Sequence, residues 1–237
     1  MNIQSFDHGF PFIIVDDYFD EEEMEILWNE VDNLYKEDIF LDPADSYSAF
    51  DENGFLKNNK CIHLDEFFAK KRKKCDILRI NRKVFLKSVL EQSENWFFKN
   101  FIKTCDYDSS LLSYYEGNNY YRAHTDASMV TGLYWFYKEP KRFEGGQFIF
   151  PDYKIDIEVV NNRMLFFPSF IKHQVIEVRL DPKYAGQNMG RWCMTQFLDS
   201  KSMADYSSQK ERQDIEKREQ IDQDVKTILF DLSLIHI

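Results

Sequence analysis

From Leu111 onward the chain is a succession of short apolar runs broken by glycine, asparagine and proline, and this pattern limits the possible folds most. "LLSYY", "MVTGLYWFY", "GGQFIF", "KIDIEVV", "RMLFFP", "HQVIEVRL" and "RWCMTQFL" are rich in aromatic and β-branched residues. Such side chains suit a pleated, half-buried surface, and each run is too short for an ordinary helix. Many short strands with turn signals between them predict a sandwich or barrel of the jelly-roll type. A length of 237 residues fits one large β-rich domain, or one domain with trimmings. With 22 Phe and 13 Tyr, its core is aromatic rather than aliphatic.

The segment before residue 106 has a different texture. "FPFIIVDDYF", residues 10–19, predicts a short strand. Asp20 then caps a helix whose first turn holds Glu21–Glu23, and Met24, Leu27, Val31, Leu34 and Tyr35 share one face. Residues 38–60 are polar and read as a long loop, a candidate mobile cover for a binding site. A second helix is expected over 83–104. The fold class expected is therefore mainly β with flanking helices (α+β): a double-stranded β-helix, jelly-roll or cupin-like, packed against N-terminal helices. Residues 1–200 form one domain in this reading, with a helical support over 1–105 and the β-helix core over 106–200. Residues 201–231 form a C-terminal helical extension. Leu232–Ile237, "LSLIHI", resemble a sequencing adapter read in frame and are set aside as a non-native tail.

A formal net charge of -11 disfavours nucleic acid as a partner. "AKKRKKCDILRINRK", residues 69–83, is the one basic block: it could steer an anionic substrate or a nucleic acid, and a solvated face beside acidic neighbours is the preferred reading. Cys61, Cys75, Cys105 and Cys193 have no CxxC spacing, so reduced thiols and a cytoplasmic setting are expected. The start has no signal-peptide pattern, and no run approaches the roughly 18 apolar residues of a membrane span.

Within the β region, "YYRAHTDASM" places His124 and Asp126 two residues apart. Residues i and i+2 of a strand project to the same side, so both could enter a barrel mouth. A third ligand from a facing strand would complete a two-histidine, one-carboxylate set, which suits iron(II) and leaves positions open. HxD alone is weak, since roughly half an occurrence is expected by chance with five histidines. Indeed a second stands at His63–Asp65, where surface or capping roles suffice. Context selects His124. His173 opens a strand after a turn on Pro168 and Ser169, Gly145 and Gly146 precede a central strand, and Arg191 opens the last one. A planar guanidinium is suited to a buried carboxylate.

Together these residues resemble the catalytic core of iron(II)- and 2-oxoglutarate-dependent dioxygenases, in particular the prolyl 4-hydroxylase-like branch. The resemblance spans residues 111–198: Tyr115 and Gly117, then His124 and Asp126, Gly145–Gly146, Phe167–Pro168, His173 with Val175 and Val178, and Gly190–Arg191. It implies that His124, Asp126 and His173 hold Fe(II), and that Arg191 anchors the far carboxylate of the cosubstrate 2-oxoglutarate. Tyr115 would stand near that cosubstrate, with Tyr134 and Trp135 competing for a second wall position. O2 would be the oxidant and ascorbate a reductant. The gap from His173 to Arg191 is longer than the family's, with "LDPKYAGQNM" apparently inserted, which makes Arg179 a rival. Arg191 is preferred because Gly190 precedes it and "WCMTQF" follows.

The activity so implied is hydroxylation of an unactivated C–H bond, foremost at a prolyl residue of a protein or peptide, with release of succinate and CO2. A free amino acid or other small molecule is the alternative substrate. From another class stands a non-catalytic cupin-like module that binds a metal or ligand. No membrane partner is expected.

Overall fold

The structure, a computed structural model, describes residues 1–46, 50–51, 54–85, 95–101 and 104–201. The chain divides into two units, Met1–Asp199 and Ser200–Ile237. Of the second only Ser200 and Lys201 are described, so the expected helix over 201–231 and the tail 232–237 lie outside the described residues.

The first unit is built on two antiparallel sheets. β1 (Asn2–Asp7) and β2 (Pro11–Asp16) form a hairpin at one edge of the larger sheet. α1 (Glu21–Lys36) follows, entered through a capping box in which Asp20 and Glu23 satisfy each other's backbone N–H groups. Leu27, Val31 and Leu34 bury its apolar face, as the sequence predicts. Next come β3 (Phe50–Asp51), β4 (Gly54–Phe55), β5 (Lys57–Asn58) and β6 (Lys60–His63). The short helices α2 (Leu64–Phe67), α3 (Asp76–Ile80) and α4 (Trp96–Phe101) complete the support.

The strands β7 (Tyr107–Tyr115), β8 (Asn119–His124) and β9 (Val130–Phe136) alternate between the sheets, β10 (Phe143–Gly145), β11 (Phe148–Phe150) and β12 (Ile155–Ile157) all join the smaller one, and β13 (Arg163–Pro168), β14 (His173–Leu180) and β15 (Arg191–Asp199) alternate again. The larger sheet runs β1-β2-β13-β9-β15-β7-β6. The smaller runs β12-β11-β14-β8-β5, with β10 also paired to β14. This is the expected mainly-β fold of two facing sheets with helices on one side.

Period two splits the core of the larger sheet in two. Leu112, Tyr114, Tyr134, Phe136, Met164, Phe166, Trp192 and Met194 pack with Leu27, Val31 and the other helix residues. Their neighbours Tyr115, Leu133, Trp135, Leu165, Phe167 and Cys193 point the other way, toward Phe148, Val175 and Val178 of the smaller sheet. The site forms in this second layer.

Two expectations need correction. Residues 38–60 are not one long loop. Pro43–Asp45 form a 3-10 turn, β3 and β4 a small hairpin, and Lys57–Asn58 join the smaller sheet beside β8. Residues 47–49 and 52–53 of that expected cover lie outside the described residues. The helix expected over 83–104 is replaced at its start by a 3-10 segment, Asn81–Phe85, and α4 occupies its later part. Residues 86–94 and 102–103 lie outside the described residues.

Candidate metal centre

His124 ends β8 and His173 begins β14, and the two are paired in register across the smaller sheet. Asp126 lies just beyond β8, its N–H donating to the Ser169 carbonyl at 3.0 Å. One ligand atom from each of the three residues falls within 4.8 Å of the others. His124 Nε2 is 3.7 Å from Asp126 Oδ1, and His173 Nε2 is 3.5 Å from Asp126 Oδ2. Donors bound to a shared ion at about 2.0–2.2 Å would close this gap with a small inward movement.

The imidazoles are oriented by their far nitrogens. His124 Nδ1 is 2.8 Å from the Arg122 carbonyl, and His173 Nδ1 is 2.8 Å from the Ile171 carbonyl. A carbonyl only accepts, so each Nδ1 carries the proton and each Nε2 lone pair faces the centre. Burial lowers the pKa of both rings to about 4, with the His173 charge adding to the effect at His124. Both are therefore neutral, and competent as ligands, at ordinary pH. Burial raises the Asp126 pKa, against the opposing pull of His124 and of the Thr131 hydroxyl. A divalent cation would remove that desolvation cost, so the donor set fits iron(II).

Around these ligands stands a layer of residues not singled out in the sequence. Thr131 Oγ1 donates to Asp126 Oδ2 at 2.6 Å and lies 2.8 Å from Ser169 Oγ, which is 2.7 Å from Ser128 Oγ. Tyr121 stacks on His124 with ring centroids 3.7 Å apart. Phe148 stacks on His173 at 5.3 Å. Their signal was available only in part: Tyr121 and Ser169 lie in the quoted motifs, but the pairings needed the fold.

The cavity beside the ligands is lined by Ser113, Tyr115, Tyr121, Leu133, Phe148, Val175, Arg191, Cys193 and Thr195 among others. Arg191 enters it from the start of β15, fully buried, and none of its three guanidinium nitrogens has a hydrogen-bond partner among the described residues. It lies over the Tyr115 ring at 4.8 Å and near Trp135 at 5.9 Å. Burial holds the Tyr115 hydroxyl protonated, with Arg191 opposing the shift. Gly146 makes room for this arginine: at φ +68°, a Cβ there would stand 2.9 Å from Arg191 Cδ.

Arg179 is elsewhere. Its side chain is 63% exposed and faces Glu144 at 3.6 Å. Even spacing from His173 would have turned it inward, but β14 is irregular between His173 and Val175 and again before Val178. The face changes, and Val178 and Leu180 are buried instead. Tyr134 also departs from its expected position. Its hydroxyl bonds Asn162 Oδ1 at 2.9 Å on the helix side of the sheet, while Trp135 takes the cavity side. Of the two, Trp135 alone lies on the cavity side of β9, near Arg191. Asp65, of the other HxD, pairs with Arg72 and accepts from the Ser110 N–H at 2.6 Å. In the basic block Arg72, Arg79, Arg82 and Lys83 all pair with acids. No helix among the described residues is long and apolar enough to cross a membrane.

Residues 110–199 match the 2OG-Fe(II) oxygenase superfamily. An uncharacterised PKHD-type hydroxylase of Synechocystis is 33% identical over 78 residues, covering 25% of this chain and 26% of that protein. The chain thus spans about a quarter of that curated relative. A crystal structure of a Pseudomonas putida prolyl-4-hydroxylase superimposes with a TM-score of 0.50 at 14% identity, covering 80% of this chain and 92% of that one. A Trichoplax adhaerens prolyl hydroxylase, in complex with a hypoxia inducible factor peptide fragment, gives 0.49 at 17% identity over 81% and 84%. The facing sheets and the paired histidines agree with that match: residues 110–199 are similar to the 2OG-Fe(II) oxygenase superfamily, on a fold shared with the Pseudomonas prolyl-4-hydroxylase.

Proposed function

We propose that this chain is an oxygenase dependent on Fe(II) and 2-oxoglutarate. It hydroxylates an unactivated C–H bond, foremost at a prolyl residue of a protein or peptide, and releases succinate and CO2. The observation that carries this reading is the buried, unpartnered Arg191 guanidinium standing in the same cavity as three convergent ligand side chains. An unpaired buried cation is costly, and a carboxylate of a ligand bound in this cavity would offset that cost.

His124, Asp126 and His173 would hold the iron, and O2 and 2-oxoglutarate would meet there. The metal, when bound, supplies the oxidative chemistry at the open positions. The chain's own contribution is positional. Thr131 keeps one Asp126 oxygen engaged, so the other is presented to the ion. Arg191 binds the far carboxylate, and Tyr115 keeps its O–H available to donate to it. Phe148, Leu133 and Val175 keep water from the reacting groups. Ascorbate is proposed as reductant. The PKHD-type relative supports hydroxylation as the reaction, and a free amino acid stands as the alternative substrate.

The test is conversion of 2-oxoglutarate to succinate by the purified chain with Fe(II), ascorbate and O2. Mass spectrometry of prolyl peptides in the same mixture reads the gain of one oxygen. Asp126→Ala should abolish both. Turnover by that variant equal to the native chain's would remove the proposed centre from the reaction.

A further inference from the structure

The smaller sheet hides a second cation. Lys57 lies in β5, directly opposite Tyr121 of β8. Residues opposite each other in an antiparallel pair share a face, so Lys57 sits on the same face as Tyr121, beside the residues that line the cavity rather than among them. It is 2% exposed, and its ammonium stands 5.6 Å from the centre of the Tyr121 ring, which in turn stacks on His124. No described acid lies within ion-pairing distance of it. Burial lowers its pKa, with a smaller opposing pull from Cys61. Its charge is felt at His124 and at His63. An inner-face lysine breaks the apolar pattern of a small barrel, and such breaks are expected where a ligand compensates them.

Charge balance indicates which ligand. Asp126 is the only acid lining the cavity among the described residues. A divalent metal, Arg191 and Lys57 together outweigh Asp126 and a dianionic cosubstrate by one positive charge. Arg191 already offers a planar fork for the cosubstrate's far carboxylate. A further anion beside Tyr121 would meet the unmatched charge.

We infer that Lys57 binds a carboxylate of the substrate, so that the reacting C–H bond lies close to an acid group. This inference rests on the oxygenase reading above and narrows its substrate. Two sources share the chemistry: the α-carboxylate of a free or C-terminal residue, and an acidic side chain next to the reacting residue in a peptide.

The experiment uses the full chain loaded with Mn(II), which allows binding to be read without turnover. Binding of 2-oxoglutarate is measured first, by calorimetry, for the native chain, Lys57→Met and Lys57→Arg. With 2-oxoglutarate saturating, two pairs of probes follow, read by Mn(II)-induced proton relaxation. One is N-acetyl-L-proline against its amide. The other is a capped Pro-Asp dipeptide against capped Pro-Asn. The native chain and Lys57→Arg should prefer the charged member of one pair by about tenfold. Lys57→Met should lose that preference while 2-oxoglutarate affinity stays within about twofold. Discrimination in the first pair assigns an α-carboxylate, and in the second an acidic side chain. No discrimination in either pair overturns the inference, as does a Lys57→Met defect confined to 2-oxoglutarate. If the native chain binds no 2-oxoglutarate at all, the oxygenase reading itself fails, and this inference with it. Melting curves of all three proteins identify a variant that has lost its fold, and Lys57→Arg then carries the comparison.

Discussion

At Arg191, the proposed anchor, a single side chain would serve function at the expense of the ligand-free fold. Its guanidinium is buried without partners, which a neutral side chain of similar length would avoid. Arg191→Met should therefore melt higher than the native chain in the absence of ligands, by about 1 kcal/mol or more of added stability. The same variant should bind 2-oxoglutarate at least about tenfold more weakly, while exposed Arg179→Ala changes that affinity little. Calorimetry on Mn(II)-loaded protein checks both, and the reverse order would restore Arg179 as the anchor. Thr131 tests the support of the ligands. Thr131→Val keeps the shape and deletes the hydroxyl that donates to Asp126. Orienting partners of this kind are worth about 10- to 100-fold in metal affinity. A Mn(II) titration should show a loss in that range for Thr131→Val and near-native binding for Thr131→Ser.

At the scale of strands, the features visible in the sequence were those that repeat with a fixed period or punctuate a turn. His124, Asp126 and His173 were legible because HxD and the Phe167–Pro168 turn mark strand ends, and α1 because its cap and stripe agree. Tyr134 and Trp135 could not be told apart, because β9 is buried on both faces and its hydrophobicity does not alternate. β5 is two residues long, too short for any periodicity, so the sequence places Lys57 in a loop. The irregular stretches of β14 reverse the face of Arg179, and no residue type announces them. The paired glycines were visible and their reason was not. Gly145 sits where a Cβ would meet the Glu177 carbonyl at 2.2 Å, and Gly146 where it would meet Arg191. Gly146→Ala should thus combine backbone strain with displacement of the anchor. Urea unfolding should report a loss of about 1–3 kcal/mol. The 2-oxoglutarate titration should weaken in parallel, and a stability loss with native affinity would mean that Arg191 is free to reposition.

For the molecule as a whole, the proposed function would make metal and cosubstrate binding one event shared by the two facing sheets. The larger sheet brings Arg191 and Tyr115 to the cavity, while His173 and Val175 come from the smaller, with His124 and Asp126 at or just beyond the end of its β8. Without a metal, the Asp126 carboxylate stands in the same small space that a dianion must enter, with the buried Arg191 to offset the repulsion. With a metal, that carboxylate is neutralised and the cosubstrate can be held from both sheets at once. Ligands that bind only the folded chain raise its stability by an amount set by their affinity, about 2.7 kcal/mol at a hundredfold excess over the dissociation constant. Thermal unfolding should therefore show a modest shift with Mn(II) alone and almost none with 2-oxoglutarate in the presence of a chelator. Both together should give a shift larger than the sum of the two. Because linkage is reciprocal, 2-oxoglutarate should tighten Mn(II) binding by the same factor that Mn(II) tightens 2-oxoglutarate. An additive pair of shifts would show that the anion is held by Arg191 alone, with no thermodynamic contribution from the metal centre.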